Sequence, residues 1–172
     1  MTEQQMMELI DSWENLDFLM QAIMHNPEDL SVLTEIAFNG THPKSWRAVW
    51  LMDKIHEKEP LLIRELIPQM IEQLKTEKSG GKKRHLLKLI SLNSVQHDKL
   101  GFLTDYCITA FTSSKEPIAV RVHAMQILHN IALIEPDLKP EIRTILELEI
   151  ENHPSAGLVS RGRKLLKSLK VN

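Results

Sequence analysis

Residues 119–132 read Ala119-Val-Arg-Val-His-Ala-Met-Gln-Ile-Leu-His-Asn-Ile-Ala132, and a shift of 38 residues lays their apolar pattern over other parts of the chain. Ala48, Leu86, Ala124 and Gly162 share one column, and Trp13, Leu51, Leu89, Ile127 and Leu165 share another. Met52, Ile90, Leu128 and Leu166 make a third. A second helix continues the register with Met24, Leu62, Leu100 and Leu138, then with Val32, Met70, Ile108 and Leu146. At 42% apolar composition, a five-member column is wholly apolar only roughly once in a hundred by chance, so several in one register argue for stacked units.

Helix punctuation agrees with that period. Asn26-Pro27-Glu28-Asp29 supplies a cap, a proline at the first helical position and two acids at the positive end of a helix that closes at Gly40. A segment from Thr41-His-Pro-Lys-Ser runs to about Glu59, and Pro60 opens the next, to about Glu77, with Pro68 expected to kink it. Ser79-Gly80-Gly81 reads as a loop, and further helices are predicted over 82–95, 98–112, 117–134, 137–152 and 156–170, with two shorter ones before Asn26. Period-2 alternation is nearly absent and no Asn-Gly or Asp-Gly hairpin turn occurs. The expectation is an all-α chain, one domain over residues 1–172, built from about four to five helical hairpins with no linker between them.

The composition fits an ordinary globular protein, with 26% charged residues and no apolar run near the ~20 residues that span a bilayer. Met1-Thr-Glu-Gln-Gln-Met-Met-Glu8 is polar and acidic where a secretory leader is basic and then apolar, so a cytoplasmic protein is expected, without membrane attachment. The single cysteine, Cys107, excludes an intrachain disulfide or a thiolate cluster and reads as a small buried or half-buried residue. The net charge of -2 hides an asymmetry: residues 1–60 carry 11 acids against 4 bases, and residues 61–172 carry 12 acids against 17 bases. Such polarity suits electrostatic docking better than nucleic-acid wrapping.

The Val120-Arg121 pair, followed by Ala124 and Leu128 at helical spacing, resembles the second helix of a HEAT or armadillo-type repeat, and Ser45-Trp-Arg-Ala-Val-Trp-Leu-Met-Asp-Lys-Ile55 is a looser version. That resemblance implies a right-handed α-α superhelix, with the second helices lining its concave face, where partners sit. It implies an architecture and no particular ligand.

If the columns at 48, 51, 52 and 55 are the buried stripe, Trp46, Trp50, Asp53 and Glu57 lie opposite. Transposition by 38 adds Arg84, Lys88, Ser91 and Val95, then Val122, Gln126, His129 and Leu133, then Ser160, Lys164 and Lys167. Trp46 and Trp50 are costly to leave in water, so they either anchor a partner or are covered by the N-terminal helices. Partner contacts are accordingly expected at Trp46, Trp50, Asp53, Arg84, Lys88, His129 and Lys164. Arg47, His85, His123 and Arg161 share one repeat position, and read either as polar side chains bonding loop carbonyls and carboxylates between units or as an anion-binding stripe.

Signatures of chemistry are missing. Gly80-Gly81-Lys82-Lys83 lacks the frame of a phosphate loop, no His-Glu-x-x-His occurs, and His123 and His129 are six apart, a poor chelating spacing. No cofactor, metal or catalytic residue is assigned. The expected function is a non-enzymatic scaffold binding a protein or peptide through its concave face. The alternative is a nucleic-acid-binding or base-excision protein, because Trp46, Trp50 and Asp53 resemble the aromatic-and-carboxylate cleft of HEAT-like DNA alkylation-repair glycosylases. In such a cleft the carboxylate stabilises positive charge on the sugar, and by analogy Arg47, Arg84 and Lys88 would hold phosphates.

Overall fold

The computed structural model describes residues 1–170, and its regular elements are all helical. They are α1 (Glu3–Ile10), α2 (Leu16–His25), α3 (Leu30–Asn39), α4 (Trp46–Lys58), α5 (Pro60–Arg64), α6 (Ile67–Leu74), α7 (Gly80–Ser91), α8 (Leu100–Thr112), α9 (Ile118–Ile134), α10 (Lys139–Asn152) and α11 (Ala156–Ser168). Short 3-10 turns at Trp13–Asn15, Pro27–Asp29, His97–Lys99 and Pro136–Leu138 lead into α2, α3, α8 and α10. The chain divides into two compact units, Met1–Leu89 and Ile90–Asn172.

Local chemistry sets the joints. Proline clashes with a helical conformation of the residue before it. Asn26, Glu59, Glu135 and His153 each precede a proline, each leave the helical region (φ -127, -132, -116 and -132), and each end a helix. Three of those joints open the next turn or helix on the same proline, where the missing N–H costs nothing. The first helix is held by a reciprocal capping box between Thr2 and Gln5, and α11 by the Ser155 hydroxyl accepting from the Leu158 amide. Asn26 does not cap α3 as expected: its side chain donates to the Asp29 carboxylate, and a 3-10 turn precedes the helix. Pro68 does not kink one long helix either. It sits in the first turn of α6, after a break at Glu65-Leu66. Gly80 and Gly81 are the first residues of α7 rather than a loop, and that helix ends at Ser91, short of the expected 95.

In the first unit α4 packs on α2, α3 and α5, while in the second α9 packs on α8, α10 and α11. The columns of the inner helices are the core: Ala48, Leu86 and Ala124 are fully buried, as are Leu51 and Leu89, with Ile127 2% exposed and Leu165 7%. Trp13 departs from its column. It is 50% exposed, because a 3-10 turn rather than a helix carries it. On the partner helices the register slips by one residue, so that Leu33 and Cys107, not Val32 and Ile108, are fully buried beside Met70 and Leu146. Cys107 thereby takes a core position.

Polar bonds between helices recur at one repeat's separation. Gln73 donates to the Phe38 carbonyl, Lys82 to the Gly40 carbonyl, Lys88 to Asp53, Asn130 to the Ser91 carbonyl, and Arg161 to Gln126. Their sequence separations run from 35 to 42 residues. The apolar columns and the polar cross-bonds therefore report the same period by independent means.

Candidate functional site

The face of α4 turned away from its buried stripe begins with Trp46 and Trp50, both half-buried. Trp13 reaches them from the turn before α2. Its ring stands edge-on to Trp46 at 5.8 Å between centroids and to Trp50 at 5.3 Å, with interplanar angles of 63° and 89°. These are favourable edge-to-face arrangements. The turn is pinned to α4 by Arg47, whose Nη1 donates to the Ile10 carbonyl at 3.0 Å and the Asp11 carbonyl at 2.8 Å. The Arg47 guanidinium lies 4.3 Å above the Trp13 ring, and its buried Nε has no hydrogen-bond acceptor. Lys44 adds an ion pair to Asp11 at 2.8 Å. An N-terminal residue thus packs against both tryptophans, and that residue is itself half in solvent.

One turn further along α4 the surroundings become ionic. Asp53 is 2% exposed, not on an open wall as the helical projection predicts, because α7 packs over that side. His85 Nδ1 lies 3.1 Å from Asp53 Oδ2, and Lys88 Nζ donates to the same oxygen at 2.9 Å. Asp53 Oδ1 is 2.8 Å from Lys88 Nζ, an ion pair without hydrogen-bond alignment. Glu57 completes the group, 3.3 Å from Lys88 and 2.8 Å from Lys54. Burial pushes the Asp53 carboxyl upward, yet the bonds from His85 and Lys88 outweigh it and hold the group below the usual carboxylate range. Burial likewise opposes the charge of Lys88, and Asp53 with Glu57 raises its pKa nonetheless. Lys54 Nζ also lies 5.9 Å from the Trp50 ring, on the border between the aromatic and ionic groups.

Of the seven expected partner contacts, Trp46, Trp50 and Asp53 share α4, Lys88 binds that helix, and Arg84 is exposed on α7. His129 and Lys164 belong to the second unit. His129 is buried, with Nε2 against the Ser168 hydroxyl; burial depresses its pKa, with a smaller opposing effect from Asn130. Lys164 is exposed and has no polar partner among the described residues. The side chains at the Arg47, His85, His123, Arg161 position differ in exposure. Arg47 and His85 are buried on carbonyls and a carboxylate, His123 is half-buried, and exposed Arg161 donates to Gln126 at 2.8 Å. An anion stripe needs its cations in water, and two of these are not.

Sequence reasoning missed Trp13, placed in the core by its column. The available signal was its setting: Asp11-Ser12 before it and Glu14-Asn15 after it are too polar for a helix buried on that face. It also missed Arg121, the arginine of the Val-Arg pair. That side chain is 4% exposed, donating from Nε to the Phe111 carbonyl at 2.8 Å and from Nη2 to Glu149.

Among the described residues no group of three or more His, Cys, Asp or Glu side chains is placed to hold a metal ion, and no helix is long and apolar enough to cross a membrane. No curated protein and no solved structure matches the chain. A family model for the HEAT repeat domain matches residues 4–169, nearly the whole sequence, and it agrees with helical pairs whose cross-bonds return every 35 to 42 residues. This chain belongs to the HEAT repeat domain family.

Proposed function

We propose that the protein is a non-enzymatic scaffold that binds another protein through the tryptophan-bearing face of its first unit. The observation that carries the reading is the Trp13–Trp46–Trp50 cluster, half in solvent yet fixed by Arg47 to the helix beneath. Rigid aromatic surface of this kind loses little entropy on binding, and tryptophan is enriched at the energetic centres of interfaces. Exposed Arg84 supplies orientation and rate of encounter, while buried Asp53 and His85, with half-buried Lys88, serve as the frame that holds α4 and α7 together.

The base-excision alternative requires a carboxylate open to a cleft. Asp53 is 2% exposed and engaged by two cations or donors, and the net charge of -2 runs against a duplex ligand. The scaffold reading is tested with Trp13→Ala and with Trp46→Ala, Trp50→Ala. Each variant should keep the helical circular dichroism of the wild type and lose the same set of captured partners. Recovery of an unchanged set by folded variants would sink the reading. A salt-sensitive mobility shift on abasic-mimic duplex would favour the alternative instead.

A further inference from the structure

The cationic face of α11 and of the residues just after it is unmatched. Arg163, Lys164, Lys167 and Lys170 are all exposed, and none has a hydrogen bond or ion pair among the described residues. Arg163 and Lys167 stand one helical turn apart, a like-charge spacing that is mildly destabilising by itself. Leu158, Gly162, Leu165 and Leu169 bury the opposite face. The repeat register gives this surface a meaning. Lys167 corresponds to Asp53, Ser91 and His129 in the preceding repeats. Each of those residues bonds the helix stacked next to it: Asp53 to Lys88, the Ser91 carbonyl to Asn130, and His129 to Ser168. In α11 the equivalent position faces solvent.

The charge that would complement this face is present in the same chain. Residues 1–43 carry eight acids and no lysine or arginine, whereas residues 152–172 carry five bases and no acid. Within the acidic stretch, Glu14 and Asp17 lie three residues apart, exposed and without an ion pair among the described residues. Phe18 follows them with 65% of its surface in water. Two carboxylates beside an exposed aromatic ring offer both salt bridges and a cation–π surface to incoming arginine and lysine. We propose that the α11 face docks a second copy of this chain, with Arg163 and Lys167 of one molecule meeting Glu14, Asp17 and Phe18 of the other. A nucleic acid is the poorer occupant, since the chain as a whole carries 23 acids against 21 lysines and arginines, a net charge of -2.

The test uses the full chain in sedimentation equilibrium at about 0.05 M and about 0.5 M salt, ionic strengths that bracket strong and weak screening. At low salt the mass should rise with concentration above the 19.8 kDa monomer, and the association constant should fall by about tenfold or more at high salt. The reversals Arg163→Glu with Lys167→Glu, and Glu14→Lys with Asp17→Lys, should each leave a folded monomer, checked by circular dichroism. Mixed in equal amounts, the two should associate again, because each then presents the complement of the other. Should a reversal disturb folding, the neutral pair Arg163→Gln, Lys167→Gln should still weaken association severalfold. The proposal fails if the wild type is monomeric throughout at low salt, if either reversal associates as the wild type does, or if the mixture stays monomeric. Binding of heparin or duplex DNA by a protein that remains monomeric would assign the α11 face to a polyanion and overturn it equally.

Discussion

Asp53 shows what one side chain's neighbours can do to it. A helical projection puts it opposite the buried stripe of α4, and that much is correct, but a projection knows nothing of the helix that packs over the far side. An inner helix of a repeat is flanked by others, so its polar face is only partly wet. The depressed pKa has a thermodynamic sign. The folded state holds the carboxylate ionised more readily than the unfolded chain does, so Asp53 stabilises the fold above the ordinary value of 3.8 and ceases to as pH falls through its lower folded value. Asp53→Asn should therefore cost about 1–3 kcal/mol in urea unfolding at neutral pH, and lose less of its remaining stability than the wild type does on acidification below about pH 4. Cys107 offers a second test. It is fully buried, and burial raises its thiol pKa far above the free value, so maleimide or disulfide reagents should label it only as fast as the second unit opens. Its burial was within reach of sequence reasoning; its taking of the core place from Ile108 was not, since a one-residue slip between repeats leaves the apolar count unchanged.

At the scale of the element, α11 and its column explain how the repeat varies. Ala48, Leu86 and Ala124 precede Gly162 at the same position, so the site has held a side chain as large as leucine. In α11 it does not: a Cβ on Gly162 would come within 2.2 Å of Ile150 Cδ1 and 3.1 Å of its Cγ1. The far methyl can rotate away, and alanine recovers helix propensity, so Gly162→Ala should change stability by less than about 1 kcal/mol. Gly162→Leu, although it only repeats the residue of α7, should cost about 1–3 kcal/mol by overpacking, read as a lowered urea midpoint at constant m-value. The columns were legible because periodicity reports which residues are buried. The size each position accepts depends on the neighbouring helix, here on Ile150, and one helix's pattern does not contain it. Arg121 makes the same point for polar groups. A charge inside an apolar helical pattern signals a buried partner, but nothing in the spacing names Glu149 as that partner.

For the molecule as a whole, stability in a repeat stack is a sum of helix pairs and the bonds between neighbours. Protection from hydrogen exchange should follow that ledger. Helices α4 and α9 bury eight and nine side chains and should exchange slowest in their respective units, while α1, with only Met6 and Ile10 buried, should exchange well before α4. Amide exchange read by mass spectrometry would refute this if α1 outlasted α4. The helical architecture and its period were legible because the apolar columns repeat every 38 residues and the X-Pro joints mark where helices end. The tryptophan cluster was half legible: the two rings of α4 follow from the register, whereas Trp13 depends on a short turn whose path is set by Arg47 and the carbonyls it binds.

The X-Pro joints carry a consequence for how such a chain changes over generations. No described residue has a positive φ, so no corner asks for glycine on account of its backbone angles, although at Gly40 a Cβ would run into the Ile36 carbonyl oxygen. Pro60 and Pro136 stand two periods of 38 apart, each following the end of one helix, Pro60 starting the next and Pro136 the 3-10 turn that leads into it. A duplicated coding segment cut at such a joint would bring its own stop and start signals. Lengthening or shortening this protein by whole modules would then leave the corner chemistry intact.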